Sequence, residues 1–145
     1  MTSRVRSRRV EGSSAPITLT KKQVSDRLRK GESLTEADLR GLDLAGTNFD
    51  GRDLSYAKMA DASLQRCTFR GANLRGASLW QADLREVNFT NANLDDADLD
   101  MTNLEGAVLY KAKIKRTLFP LDRLPMERIQ ESIRSGRRLT MDKGD

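Results

Sequence analysis

The sequence predicts an all-β solenoid, a four-sided parallel β-helix of about four coils with a short α-helix at each end. Three observations carry this reading. A large apolar residue recurs every five positions from Ala37 to Phe119, small and polar residues keep fixed places around it, and phenylalanine recurs every twenty positions.

The units run ADLRG, LDLAG, TNFDG, RDLSY and onward to a final TLF. Their third residues, the centres, are Leu39, Leu44, Phe49, Leu54, Met59, Leu64, Phe69, Leu74, Leu79, Leu84, Phe89, Leu94, Leu99, Leu104, Leu109, Ile114 and Phe119. All seventeen are large and apolar in a chain that is 37% apolar, a run that chance produces on the order of once in ten million. Two residues before the centre, fifteen of seventeen are Ala, Thr, Cys or Val, and one residue before it thirteen are Asp, Asn, Ser or Thr. Six of the ten glycines follow a centre by two residues, where a turn requires them.

Period five suits neither regular element. On an α-helix it rotates each centre by ~140°, so no apolar stripe forms. On a long strand an odd period sends successive centres to opposite faces. A short extended piece followed by a corner fits: the centre and the residue two before it point inward together. Phe49, Phe69 and Phe89 lie twenty apart, beside the bulkier inward residues Thr47, Cys67 and Val87. Twenty residues are four units, hence four sides per coil with the phenylalanines stacked along one of them. Layers ~4.8 Å apart give a stack of about 20 Å.

The A(D/N)LxG pattern resembles the pentapeptide repeat family over about 85 of the 145 residues. The resemblance implies a right-handed quadrilateral β-helix. Departures from the pattern are Arg52 and Leu42 at inward small positions and Lys58, Val108, Lys113 and Leu118 in the polar column. Arg52 belongs to the first coil, so either its side chain passes over the coil edge or the backbone bulges there.

A stacked solenoid exposes apolar layers and unpaired backbone at both ends. Thr20 is placed to N-cap a helix over Lys21–Lys30, with Val24 and Leu28 on one face and Gly31 after it. A second helix is predicted over Pro125–Ser135, with Met126, Ile129 and Ile133 on one side and Gly136 beyond it. It either covers the last coil or forms a homodimer through Ile129 and Ile133. The chain thus divides into a basic arm (1–18), an N-terminal capping helix (19–34), the β-helix (35–120) and a C-terminal capping or dimerisation helix with its tail (121–145).

Composition narrows the function. The chain has no histidine and one cysteine, Cys67, which removes Ser-His-Asp and Cys-His mechanisms, internal disulfides and cysteine-rich zinc sites. No apolar run approaches the ~18 residues of a membrane helix, so no membrane partner is expected. Twenty-six Lys and Arg against twenty-one Asp and Glu give a net +5. By segment the balance is +5 for residues 1–36, −1 for 37–120 and +1 for 121–145. The arm holds Arg4, Arg6, Arg8 and Arg9 against Glu11. Its first ten residues superficially resemble an organellar transit peptide, but the stretch EGSSAP follows instead of an apolar run, so a basic tail on a cytoplasmic protein is the expectation.

Candidate chemistry is sparse. Asp95, Asp96, Asp98 and Asp100 fall on two adjacent sides and read as solvated surface rather than a metal site. Cys67 points inward beside Phe69 and reads as a buried, unreactive thiol. Trp80 follows a centre directly and points outward with Met101 on the next coil, a pair suited to anchoring an interface. No catalytic, cofactor or metal residues are assigned. The expected function is a non-enzymatic scaffold or adaptor whose rigid faces bind a protein partner. The family resemblance implies one alternative, modulation of a type II topoisomerase (DNA gyrase) by mimicry of DNA. Against it, a 20 Å rod matches about six base pairs carrying roughly twelve phosphate charges, whereas the repeats net −1. A second alternative is weak nucleic-acid binding through the arm.

Overall fold

The computed structural model describes residues 18–143. From Asp38–Lys58 to Asp98–Leu118, thirteen parallel pairs join residues twenty apart, so each circuit of the chain takes four units and lies in register with the next. This is a parallel β-helix. The four sides are defined here by their centres: side 1 by Leu34, Leu54, Leu74, Leu94 and Ile114; side 2 by Leu39, Met59, Leu79, Leu99 and Phe119; side 3 by Leu44, Leu64, Leu84 and Leu104; side 4 by Phe49, Phe69, Phe89 and Leu109. Every centre from Leu34 to Leu109 is buried, as is Phe119, and Ile114 is half-buried. The phenylalanines stack on side 4, with ring centroids 4.9 and 5.4 Å apart and planes 6° and 16° off parallel.

Each corner is a β-turn. The residue after every turn returns its N–H to the centre three before it, as in Ala72 to Phe69 at 3.0 Å. Every fifth residue from Glu36 to Arg116 has a φ between 57° and 78°, as the third position of a type II turn demands. At Gly76 a side chain is also excluded by space, because the Tyr56 ring occupies the volume a Cβ would take.

The polar column has a backbone reason. Each of its ten Asp and Asn residues accepts, through Oδ1, the N–H two residues on, as Asn73 does from Arg75 at 3.1 Å and Asn93 from Asp95 at 2.9 Å. That N–H points away from the neighbouring coils and has no ladder partner, so the Asx contact satisfies it locally. At three positions outside the Asp and Asn set, the arrangement differs. Thr68 and Lys113 leave the N–H groups of Arg70 and Lys115 to Asp50 and Asp95 of the preceding coil, both at 2.8 Å. Leu118 is followed two residues later by Pro120, which has no N–H to satisfy.

The solenoid begins one unit earlier than the sequence count. Leu34 is fully buried and its N–H bonds to Asp53 at 3.0 Å, and Glu36 takes the corner φ of 60°. The unit ESLTE escapes notice because Glu32 sits where a small inward residue belongs, a place the first rung can leave open. Ahead of it, helix α1 (Lys21–Arg29) is held by a reciprocal capping box: Thr20 Oγ1 accepts Gln23 N–H, and Gln23 Oε1 accepts Thr20 N–H. Arg52 passes over the coil edge, and its Nη2 donates to Leu28 O at 2.9 Å at the negative end of α1. The turn after Phe49 is intact, so no bulge forms.

At the other end the last rung's outward N–H groups lack a following coil. Helix α2 (Met126–Ser135) and the tail after it meet four of them on sides 3 and 4. Leu109 donates to Ser132 Oγ at 2.9 Å, Lys111 to Ile133 O at 3.0 Å, Gly106 to Leu139 O at 2.8 Å and Leu104 to Met141 Sδ at 3.0 Å. Ile129, Leu124 and Leu139 are buried in the same core, with Ile133 packed half-buried against it. The offered interface residues Ile129 and Ile133 are therefore occupied within the chain. A dimer through their side chains would have to displace α2 from the last coil.

Candidate functional site

Side 2 carries four of the six large apolar residues that are exposed among the described residues; Tyr56 and Met126, the latter at the start of α2, are the others. Trp80 is 40% exposed, Met101 57%, Leu118 58% and Leu121 54%. The ladder brings them together: Ser78 pairs with Asp98 and Asp98 with Leu118, and Gln81 N–H bonds to Asp100 O at 3.2 Å. Trp80, Met101 and the Leu118–Leu121 pair thus occupy three successive rungs, ~4.8 Å apart. Burial of every alternate side chain in the core fixes their backbone, so the strip is presented with no backbone left to order.

Acidic residues surround it. Asp61, Asp98 and Asp100 stand on the same side or its edge. Asp98 Oδ1 accepts Asp100 N–H and Asp100 Oδ1 accepts Met101 N–H, both at 2.9 Å, which aims these carboxylates beside the apolar strip. Trp80 and Met101 were legible from the five-residue count. Leu118 and Leu121 were not joined to them, although reading at a spacing of twenty places Leu121 directly below Met101. Tyr56, 50% exposed at the corner between sides 1 and 2, was also missed. It reads as a corner residue until its ring is seen lying over Gly76.

The other candidates take structural places. Asp95 receives Lys115 N–H, and Asp96 pairs with Arg116 at 2.6 Å and Arg75 at 3.4 Å. Asp95 and Asp96 thus face side 1 and its corner while Asp98 and Asp100 face side 2. Among the described residues no group of three or more potential ligands converges on one point. The Cys67 thiol is buried and donates to Leu44 O at 3.0 Å, and burial pushes its pKa up to about 11, which leaves little thiolate. Arg4, Arg6, Arg8 and Arg9 lie outside the described residues. No helix among the described residues is long and apolar enough to cross a membrane.

A ladder of period twenty with inward centres and Asx-closed corners defines a class of repeat solenoid. The family model for pentapeptide repeats matches eight copies, over residues 33–71, 72–109 and 88–119. The chain belongs to the pentapeptide repeat family, and its fold is that family's right-handed β-helix. Among solved structures it resembles a pentapeptide repeat protein from Nostoc PCC 7120, at 34% identity and a TM-score of 0.68 over 73% of this chain and 88% of that one. It also resembles pentapeptide repeat proteins from the cyanobacterium Cyanothece 51142 (32% identity, TM-score 0.57, 57% of this chain and 56% of that one) and from the Arabidopsis thaliana thylakoid lumen (32%, 0.55, 55% of each). The chain spans just over half the length of these last two. A comparison with curated proteins gave no match.

Proposed function

We propose that this protein is a non-enzymatic interaction scaffold: about four coils closed at each end by a helix, engaging a protein partner through side 2. The observation that carries this is the exposed strip of Trp80, Met101, Leu118 and Leu121 on three consecutive rungs of a rigid ladder. Exposed tryptophan flanked by methionine and leucine supplies the large, poorly hydrated anchors on which interfaces depend. The carboxylates of Asp61, Asp98 and Asp100 add a selective rim. The partner surface they fit has an apolar centre and Lys or Arg around it.

Mimicry of DNA is the weaker reading. Along the sides, Arg70 pairs with Asp50, Arg75 and Arg116 with Asp96, and Arg85 with Asp83. Ion-paired carboxylates do not present the unbroken anionic rows of a duplex.

The test compares capture of native partners by the full chain and by Trp80→Ala with Met101→Ser. The partner retained by the wild type should bind at least tenfold more weakly to the double variant, while the melting temperature stays within two or three degrees, roughly the shift of a surface change. Equal retention by both proteins rules out side 2 as the binding face.

A further inference from the structure

Charge changes sign along the chain toward the C-terminal end of the rod. Residues 37–109 hold seven basic and twelve acidic side chains, a net −5, whereas residues 110–143 hold ten and four, a net +6. The positive end has a shaped site within it. The outer side of α2 and the tail enclose a cleft of about 390 Å³ lined by Arg128, Arg134, Arg137 and Arg138, together with Glu127 and Glu131.

Arg138 is held by a neutral group, whereas Arg128 is held by a carbonyl and by a carboxylate. Arg138 Nη1 donates to Gly106 O at 2.9 Å, on the edge of the last coil, and Arg128 Nη1 donates to Thr140 O at 2.7 Å while lying 2.9 Å from Asp142. Arg134 Nη2 donates to Glu131 at 2.6 Å. Among the described residues the Arg137 guanidinium has no hydrogen-bond partner. Each fork has five donors, so anchoring through one nitrogen orients the group and leaves the others free.

The lining carries four positive and two negative charges, and Asp142, paired with Arg128, adds a third negative one at its edge. A carboxylate brings one charge and two oxygens, enough for one fork. A phosphate monoester or pyrophosphate brings up to two charges and three oxygens per phosphorus, enough to engage the forks of Arg137 and Arg138 together. The acidic rungs above repel an anion from the sides and leave this end as its approach. We propose that the cleft between α2 and the tail binds phosphate groups, either of a small oligophosphate or at the end of a nucleic acid strand.

The test titrates the full-length protein with sodium pyrophosphate at low ionic strength by calorimetry, beside sodium acetate. Saturable pyrophosphate binding is expected, at least tenfold tighter than acetate, weakened at least tenfold by Arg137→Gln and strengthened severalfold by Glu127→Gln. Fluorescence anisotropy with a twelve-nucleotide single strand, with and without a 5′-phosphate, separates the sources. A phosphate-dependent strand that pyrophosphate displaces assigns the site to strand ends, and pyrophosphate binding without it assigns a small ligand. Three results would overturn the proposal: no saturable pyrophosphate binding, binding unchanged by Arg137→Gln, or binding lost on deleting residues 2–16 instead.

Discussion

Leu79 stands near the middle of the stack with none of its surface exposed, one rung below Met59 and one above Leu99. Leu79→Ala should cost ~2–5 kcal/mol in denaturant melts, from lost transfer energy and from a cavity that coils above and below cannot close. Asp100→Ala on the exposed surface should change stability by less than ~0.5 kcal/mol. Asp38 tests the polar column differently. Its carboxylate accepts Arg40 Nε at 2.9 Å, Arg40 Nη2 at 2.7 Å and Thr18 Oγ1 at 3.2 Å, and the Arg40 contacts hold its pKa down at about 2. A folded value below the unfolded one, about 3.9, stabilises the protein fully above the unfolded value and ceases to as pH falls through the folded one. In thermal melts against pH, the gap between the wild type and Asp38→Asn should be steady above pH ~4.5 and shrink steadily toward pH 2. The alternation of inward and outward residues was plain in the letters because burial selects side chains. The Asx contact was not, because a polar column reads equally well as solvated surface until the stranded N–H beside it is seen.

Both helices were legible as elements, from Thr20, Val24, Leu28 and Gly31 at one end and from the apolar spacing and Gly136 at the other. Gly136 takes a left-handed φ of 79° at the end of α2, as its place predicts. What α2 does was left open, since an apolar face states only that something covers it. Its position over sides 3 and 4 settles the cover for Ile129. The tail from Arg137 to Asp142 left no trace in the sequence, because it joins the last rung through two backbone pairs between Leu139 and Gly106–Ala107 and through single contacts of Arg138 and Met141 that follow no repeat spacing. Replacing Ile129 and Ile133 together by Lys should release α2, lower the melting temperature by several degrees and speed amide exchange at Leu104, Gly106, Leu109 and Lys111. If the double variant instead kept its melting temperature and exchange and only sedimented more slowly, those side chains would lie between subunits.

Across the whole molecule, the net charge computed by linear segment concealed an uneven distribution. Lys111, Lys113, Lys115 and Arg116 belong by sequence to the repeats but by position to the same end as α2 and the tail. A boundary before Tyr110 rather than after Pro120 separates an acidic shaft from a basic foot. The same distinction between order in the chain and height in the stack governs how such a molecule can lengthen or shorten. Twenty residues added at a corner lift everything beyond it by one storey and leave each side's neighbours facing the same way. Five residues added after Gln81 would turn all later rungs by a quarter circuit, carrying Met101 away from Trp80 onto side 3 and Phe89 out of line with Phe69. Descent with insertions and deletions is therefore quantised: the core accepts steps of five, but a binding face shared between coils survives only steps of twenty.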